Sequence, residues 1–75
     1  MEEQIYMEEI EKKIFKLLER KKEKKFNVVQ ICKAIKHGYP ATLKYVMILQ
    51  AKRLINMEDY GNVKIVSHKE ILNGP

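Results

Sequence analysis

Apolar residues recur along this chain with two periods, one helical and one extended. The first helical face carries Ile10, Ile14, Leu17 and Leu18 at 3.6-residue spacing. This spacing predicts a helix over about residues 2–22. Glutamates lead this segment and lysines follow, as the helix dipole favours at either end.

Two further helices are indicated by capping residues and an apolar inner face. Asn27 is a good N-cap, and Gln30 follows three residues later as in a capping box. We therefore expect a second helix over about residues 28–36, closed by Gly38 in the left-handed conformation. Pro40 favours the first turn of a helix, so a third helix is predicted over about residues 40–54.

The period changes after the third helix. Two short segments of strand-forming residues, 57–60 and 63–66, flank Gly61-Asn62, a pair that favours a type II′ hairpin turn. We expect a hairpin over about residues 56–67 and a short tail over 68–75. The pattern as a whole predicts a mainly α fold with a small β-hairpin, in a single domain over residues 1–67.

Charge is distributed unevenly along the 75 residues, and the formal total of +5 conceals this. Residues 1–11 hold five glutamates and no base, whereas residues 12–53 hold thirteen Lys or Arg and two acids. Arg20 to Lys25 alone contains five bases in six residues, which we expect to form an exposed connection. A basic middle of this density favours a polyanionic partner, the alternative being a solvated lysine-rich surface.

The segment of about residues 8–67 resembles the winged helix-turn-helix DNA-binding domains of small bacterial and archaeal transcription regulators, including those of archaeal viruses. The resemblance lies in the stretch FNVVQICKAIKHGYPATLKYVMILQAKRLINMEDYGNVKIV. Within it, ATLKYVMILQAKRLI is similar to the family's third helix and its closing Leu-Ile pair. Arg53 stands where the family often has glycine. The resemblance implies a three-helix fold whose third helix enters the major groove and whose hairpin forms the wing.

A helical wheel divides the third helix into a reading face and a packing face. The reading face is predicted to contain Ala41, Lys44, Tyr45, Ile48 and Lys52. The packing face is predicted to contain Thr42, Val46, Leu49 and Arg53, with Leu43 and Gln50 beside them and the Arg53 charge reaching solvent.

The chemistry of these side chains assigns the predicted contacts to double-stranded DNA. Lys44 reaches guanine or phosphate, and Tyr45 offers a hydroxyl for phosphate and a ring for a thymine methyl. Thr42 lies at the helix start, where it can bind phosphate. The remaining predicted contacts are Ile48 to a thymine methyl, Lys52 and Arg53 to the backbone, Lys33 and Lys36 beside the groove, and Asn62 and Lys64 in the wing.

The N-terminal segment carries more apolar surface than one small core needs. Ile5, Tyr6, Met7 and Ile10 are therefore candidates for a homodimer contact, since dimerisation adds buried surface at this size. The alternative is that all of these residues pack inside one subunit.

Two other functions remain open. Met47 and Ile48 are apolar, and Glu58 and Asp59 make the wing acidic, which favours a protein-protein interaction module on the same scaffold. The lysine cluster of residues 21–25 alone favours a non-specific nucleic-acid-coating protein.

Other function classes find little support in the sequence. Cys32, His37 and His68 are isolated and lack metal-ligand spacing, so we expect no metal or other cofactor. We find no nucleophile-base pair and no glycine-rich phosphate loop, and we expect neither an enzyme nor a small-molecule substrate. No apolar run approaches the roughly 20 residues of a membrane span. The single cysteine and the acidic N-terminus favour a cytoplasmic protein, complete as given.

Overall fold

Helices and short strands alternate along the chain in the computed structural model, which describes residues 7–70. In chain order the elements are α1 (Glu9–Arg20), β1 (Lys25–Asn27), α2 (Val28–Ile35), α3 (Tyr39–Ala51), β2 (Ile55–Asp59) and β3 (Lys64–His68). The strands form an antiparallel sheet in the order β1-β3-β2. Over residues 7–70 the predicted mainly α fold with a β-hairpin is confirmed.

The starts of α1 and α2 follow from side-chain capping. The backbone N–H of Glu8 donates to Glu11 Oε1 at 2.9 Å, and the acids of the first turn suit the helix dipole. Asn27 Oδ1 accepts from the Gln30 N–H at 2.8 Å, and Gln30 Oε1 accepts from the Asn27 N–H at 2.9 Å. The predicted capping box at Asn27 is therefore confirmed.

Several predicted helix bounds need correction. Met7 and Glu8 precede α1, which ends at Arg20 instead of residue 22, while residues 2–6 lie outside the described residues. Helix α2 ends at Ile35, one residue earlier than predicted, and α3 ends at Ala51 instead of residue 54.

The left-handed residue that closes α2 is not Gly38, as the sequence predicted, but Lys36, with φ 62° and ψ 48°. Gly38 is instead the extended N-cap of α3, with φ −69° and ψ 163°. Only one residue separates Lys36, which closes α2, from Gly38, which begins α3. Because Gly38 already serves as the N-cap of α3, a different residue closes α2. Pro40 stands in the first turn of α3, as predicted.

Helix α3 closes with a second left-handed residue, Arg53, at φ 64°. The Arg53 N–H donates to the Gln50 carbonyl at 2.9 Å, and the Leu54 N–H donates to the Leu49 carbonyl at 3.0 Å. These two bonds form a Schellman motif, in which glycine is the favoured left-handed residue. Arg53 therefore occupies the position where the resembled family often has glycine.

The predicted exposed connection of residues 20–25 is confirmed, since all six are exposed, but its last residue, Lys25, begins strand β1, which the sequence did not predict. Phe26 pairs with Val66 and is 5% exposed, so this short segment contributes to the core. The hairpin is confirmed. It begins at Ile55 and ends at His68, one residue beyond the predicted span of 56–67 at either end. Gly61 has the positive φ of 88° that the first central residue of a type II′ turn requires. His68, predicted to begin the tail, is instead the buried last residue of β3.

The core lies between the three helices and one face of the sheet. Its fully buried side chains include Ile14, Leu18, Ile31, Val46, Leu49 and Val66. Val66 stands in the central strand, opposite Phe26 on one side and Met57 on the other. This packing fixes α2, the turn and α3 as a helix-turn-helix against the hairpin.

Candidate nucleic-acid interface

Helix α3 has three faces, of which one packs on the core. Thr42, Val46 and Leu49 are fully buried. The predicted packing face is confirmed for these residues, but Arg53 lies beyond the helix end and is exposed.

A second face of α3 contacts α1. Lys52 Nζ lies 2.9 Å from Glu11 Oε2, and the Glu11 carboxylate is almost fully buried. The Tyr45 hydroxyl lies 3.5 Å from Glu8 Oε1, and the Tyr45 side chain packs partly against the core. Lys52 and Tyr45 were both predicted to read DNA, whereas the structure places them against the acidic start of α1.

The third face of α3 points to solvent. Its residues include Lys44, which is exposed, and Met47, which is 51% exposed. Gln50 and Ala51 continue this outward face, and Leu43 is half-buried beside it. Lys44 Nζ lies 5.3 Å from the centroid of the Tyr45 ring, which leaves the amine at the surface. We call the surface of Lys44, Met47 and Gln50 the outer face of α3.

The other residues of this region that were predicted to contact DNA differ in how exposed they are. Lys33 lies in the last turn of α2, Lys36 closes that helix, and both are exposed. Arg53 is exposed just after α3. Ile48 is half-buried, so little of its side chain remains for a thymine methyl.

The hairpin presents mostly acid and neutral groups. Lys64 Nζ donates to the Gly61 carbonyl at 3.1 Å and lies 3.7 Å from Asp59 Oδ1, so its charge is partly neutralised. Glu58 accepts a hydrogen bond from the Tyr60 hydroxyl at 3.1 Å and raises the pKa of that hydroxyl. Asn62 is exposed at the turn and is the predicted wing contact that stays accessible.

Thr42 lies where phosphate cannot reach it. Its side chain is 0% exposed, and its Oγ1 has no hydrogen-bond partner among residues 7–70. A buried hydroxyl without a partner destabilises the fold. The prediction that Thr42 binds phosphate therefore needs correction, because the N-terminal turn of α3 directs this residue inward.

We expect Thr42→Val to raise the free energy of unfolding by about 1 kcal/mol, because valine keeps the shape and removes an unpaired buried hydroxyl. Chemical denaturation of the two proteins measures this difference. The matched change Thr42→Ser keeps the hydroxyl and removes a methyl, and should destabilise. A loss of stability in the valine variant would show that the hydroxyl is bonded.

The predicted dimer residues divide into two groups. Met7 and Ile10 are partly buried and pack against the core of their own subunit. Because each is only partly buried, the dimer contact of these two residues stays a prediction. Ile5 and Tyr6 lie outside the described residues.

His68 and Cys32 both take part in the packing of the described residues. His68 Nδ1 accepts the Glu70 N–H at 2.9 Å, and its ring lies 6.0 Å from the Phe15 ring. Cys32 is a free thiol packed beside the core. Among residues 7–70, no three His, Cys, Asp or Glu residues are grouped so that they could hold a metal ion.

A second cationic surface, which sequence reasoning did not single out, lies between α1 and the end of α2. This open groove of about 600 Å³ has Leu17 and Ile35 among its apolar lining. The cations that line it are Lys13, Lys16, Arg20 and Lys36. We call it the basic groove. Its signal was available in the sequence, because residues 13, 16 and 20 share one helical face.

No protein-family model matches this chain, and no curated protein matches it. Over residues 7–70, none of the helices is both long enough and apolar enough to cross a membrane. The architecture therefore rests on the structure itself: a helix-turn-helix followed by a β-hairpin, with the extra strand β1 completing the sheet. This is a winged helix-like fold.

Proposed function

We propose that the protein binds double-stranded DNA in a sequence-specific manner and regulates transcription, with α3 in the major groove. The observation that carries this proposal is the exposure of Lys44 in the middle of the outer face of α3. The major groove admits one α-helix, and a lysine at its centre can donate to guanine O6 or N7. Gln50 adds an amide that can read adenine.

Cations beside the outer face support the same docking. Lys33 and Lys36 precede the turn into α3, and Arg53 follows its end. Lysine and arginine contacts to phosphate set the register of a protein on the duplex and carry no sequence information. In this proposal Asn62 is the wing contact, and Thr42, Tyr45 and Lys52 are left out because they face inward or α1.

We further propose that the protein acts in the cytoplasm as a homodimer that reads two half-sites. A dimer places two copies of α3 on one face of the duplex, about one helical turn apart. Selection from a randomised duplex pool at two salt concentrations tests specificity and dimer spacing together. An inverted repeat that survives the higher salt supports the proposal. Salt-labile binding without sequence preference would leave the coating function, since phosphate contacts alone weaken steeply with salt.

Lys44→Ala should weaken binding to the selected duplex roughly tenfold to a hundredfold, because a direct base contact contributes about 1–3 kcal/mol. The matched control is Lys12→Ala, which removes the same charge from an exposed position of α1. Fluorescence anisotropy with each variant gives the two dissociation constants. Equal losses would mean that Lys44 contributes only general charge.

A second candidate function is a protein-binding module. It is favoured by the 51% exposure of Met47 and the 42% exposure of Tyr39, which place two large hydrophobic side chains of α3 in contact with solvent. In this case the pool selection gives no bound duplex at either salt. Met47→Ala would then abolish capture of a nuclease-resistant partner, whereas Lys12→Ala would not.

A further inference from the structure

The basic groove is a strongly cationic recess between α1 and the end of α2. Four of its lining residues are cationic and one, Glu19, is acidic. Its volume of about 600 Å³ falls within the roughly 300–1,000 Å³ typical of binding pockets. An occupant that complements it needs carboxylates and at least one large apolar side chain.

The cations of the groove are not neutralised by the fold. Within residues 7–70, ion pairs join Lys22 to Glu70, Lys25 to Glu58, Lys52 to Glu11 and Lys64 to Asp59. None of them involves a cation of the basic groove. The groove therefore keeps its positive charge for a partner.

The chain itself carries a segment with the complementary chemistry. Residues 1–6 contain two carboxylates, Glu2 and Glu3, and three large apolar side chains, Met1, Ile5 and Tyr6, with no Lys or Arg. The segment is negatively charged where the groove is positively charged, and its apolar side chains can pack against Leu17 and Ile35.

The order of charges along α1 favours a symmetric arrangement. Glu9 shares a helical face with Lys13, Lys16 and Arg20, with the acid at the N-terminal end and the bases towards the C-terminal end. When two copies approach antiparallel about a two-fold axis, the acidic end of each meets the basic end of the other. A two-fold interface is self-complementary in this way.

The path of the chain disfavours docking within one copy. Met7 packs against the core, and Glu8 lies against Tyr45 of α3, whereas the groove lies on the side of α1 that faces α2. Six residues span at most roughly 20 Å when fully extended. Part of that length would be used in crossing α1 and reversing direction.

We propose that residues 1–6 of one copy dock in the basic groove of a second copy, twice in a symmetric dimer. Carboxylates of the segment pair with Lys16 and Arg20, and its apolar side chains cover Leu17. This interface rests on the proposed homodimer, for which it supplies the contact, and does not depend on the proposed DNA binding.

Charge reversal tests the proposal by sedimentation equilibrium without DNA. The groove variant Lys16→Glu/Arg20→Glu and the segment variant Glu2→Lys/Glu3→Lys should each raise the dimer dissociation constant at least about tenfold at low salt. The matched control Lys12→Glu/Lys21→Glu makes the same change in net charge at exposed positions outside the groove. It should leave the dissociation constant within about twofold.

Mixing the groove and segment variants gives the decisive result. Each variant alone sets like charges against each other, whereas a mixed dimer pairs opposite charges at both grooves. We expect the equimolar mixture to restore dimer at concentrations where each variant is monomeric.

A wild-type protein that stays monomeric at every concentration would overturn the proposal, and so would a mixture no more dimeric than its components. The segment variant alters only residues 1–6, so it keeps the test valid if the groove variant does not fold. A monomeric wild-type protein would also overturn the proposed homodimer, whereas a dimer that ignores both charge reversals would overturn only this interface. Because DNA is absent throughout, the proposal that α3 binds DNA keeps its own test.

Discussion

Lys52→Ala is expected to lower the free energy of unfolding by about 3 kcal/mol, because it leaves the buried Glu11 carboxylate without its partner. Glu11 is 1% exposed, and its Oε2 lies 2.9 Å from Lys52 Nζ. Removing one member of a buried ion pair typically destabilises by roughly 3–5 kcal/mol. The lower end applies here, since the Lys52 side chain is 31% exposed and water reaches one side of the pair.

Urea denaturation of Lys52→Ala beside Lys44→Ala measures this effect against a lysine of α3 that faces solvent. The Lys44 variant should stay within about 0.5 kcal/mol of the parent. The double variant Glu11→Gln/Lys52→Ala should recover much of the loss. Glutamine removes the buried charge and keeps an oxygen for the Glu8 N–H, as a capping box allows. Equal stability of the two lysine variants would contradict the conclusion that the ion pair of Glu11 and Lys52 holds α1 against α3.

This ion pair shows why the site could be predicted only in part from the sequence. Periodicity separates the inner face of α3 from the rest, and the burial of Val46 and Leu49 confirms that separation. It does not say which polar face meets α1, because the packing of α1 against α3 is a tertiary feature. Tyr45 and Lys52 were therefore predicted to read DNA, although the acids of α1 hold them.

Local signals predicted local structure well. The capping box of Asn27 and Gln30 and the turn at Gly61 each depend on residues a few positions apart. Strand β1 depends on the pairing of Phe26 with Val66, which are far apart in the chain. A three-residue strand in a lysine-rich segment has no periodicity to reveal it.

The left-handed residues show the same division between local and tertiary information. The sequence predicted that glycine would close α2, yet Lys36 takes that conformation because Gly38 is already the N-cap of α3. Turn chemistry alone does not fix where one helix ends and the next begins. Both helices must also bury their inner faces in the same core, and this packing determines which residues are left to form the turn.

Leu49→Ala is expected to be as destabilising as the loss of the ion pair, by about 3 kcal/mol. Leu49 is 0% exposed at the centre of the core, so the truncation loses apolar burial and leaves a cavity. A chain of 75 residues has a total stability of only about 4–11 kcal/mol. Thermal unfolding should shift downward by on the order of 15 °C.

Met47→Ala provides the control, because Met47 lies on the same helix and is 51% exposed. Its melting temperature should stay within a few degrees of the parent, since surface substitutions change stability by about 0.5 kcal/mol or less. A similar shift in both variants would mean that the outer face of α3 is covered, as in a dimer built on that face. The pair also separates folding from recognition: DNA binding lost in Leu49→Ala should return on cooling below its unfolding transition, whereas a loss in Lys44→Ala should persist in the folded protein.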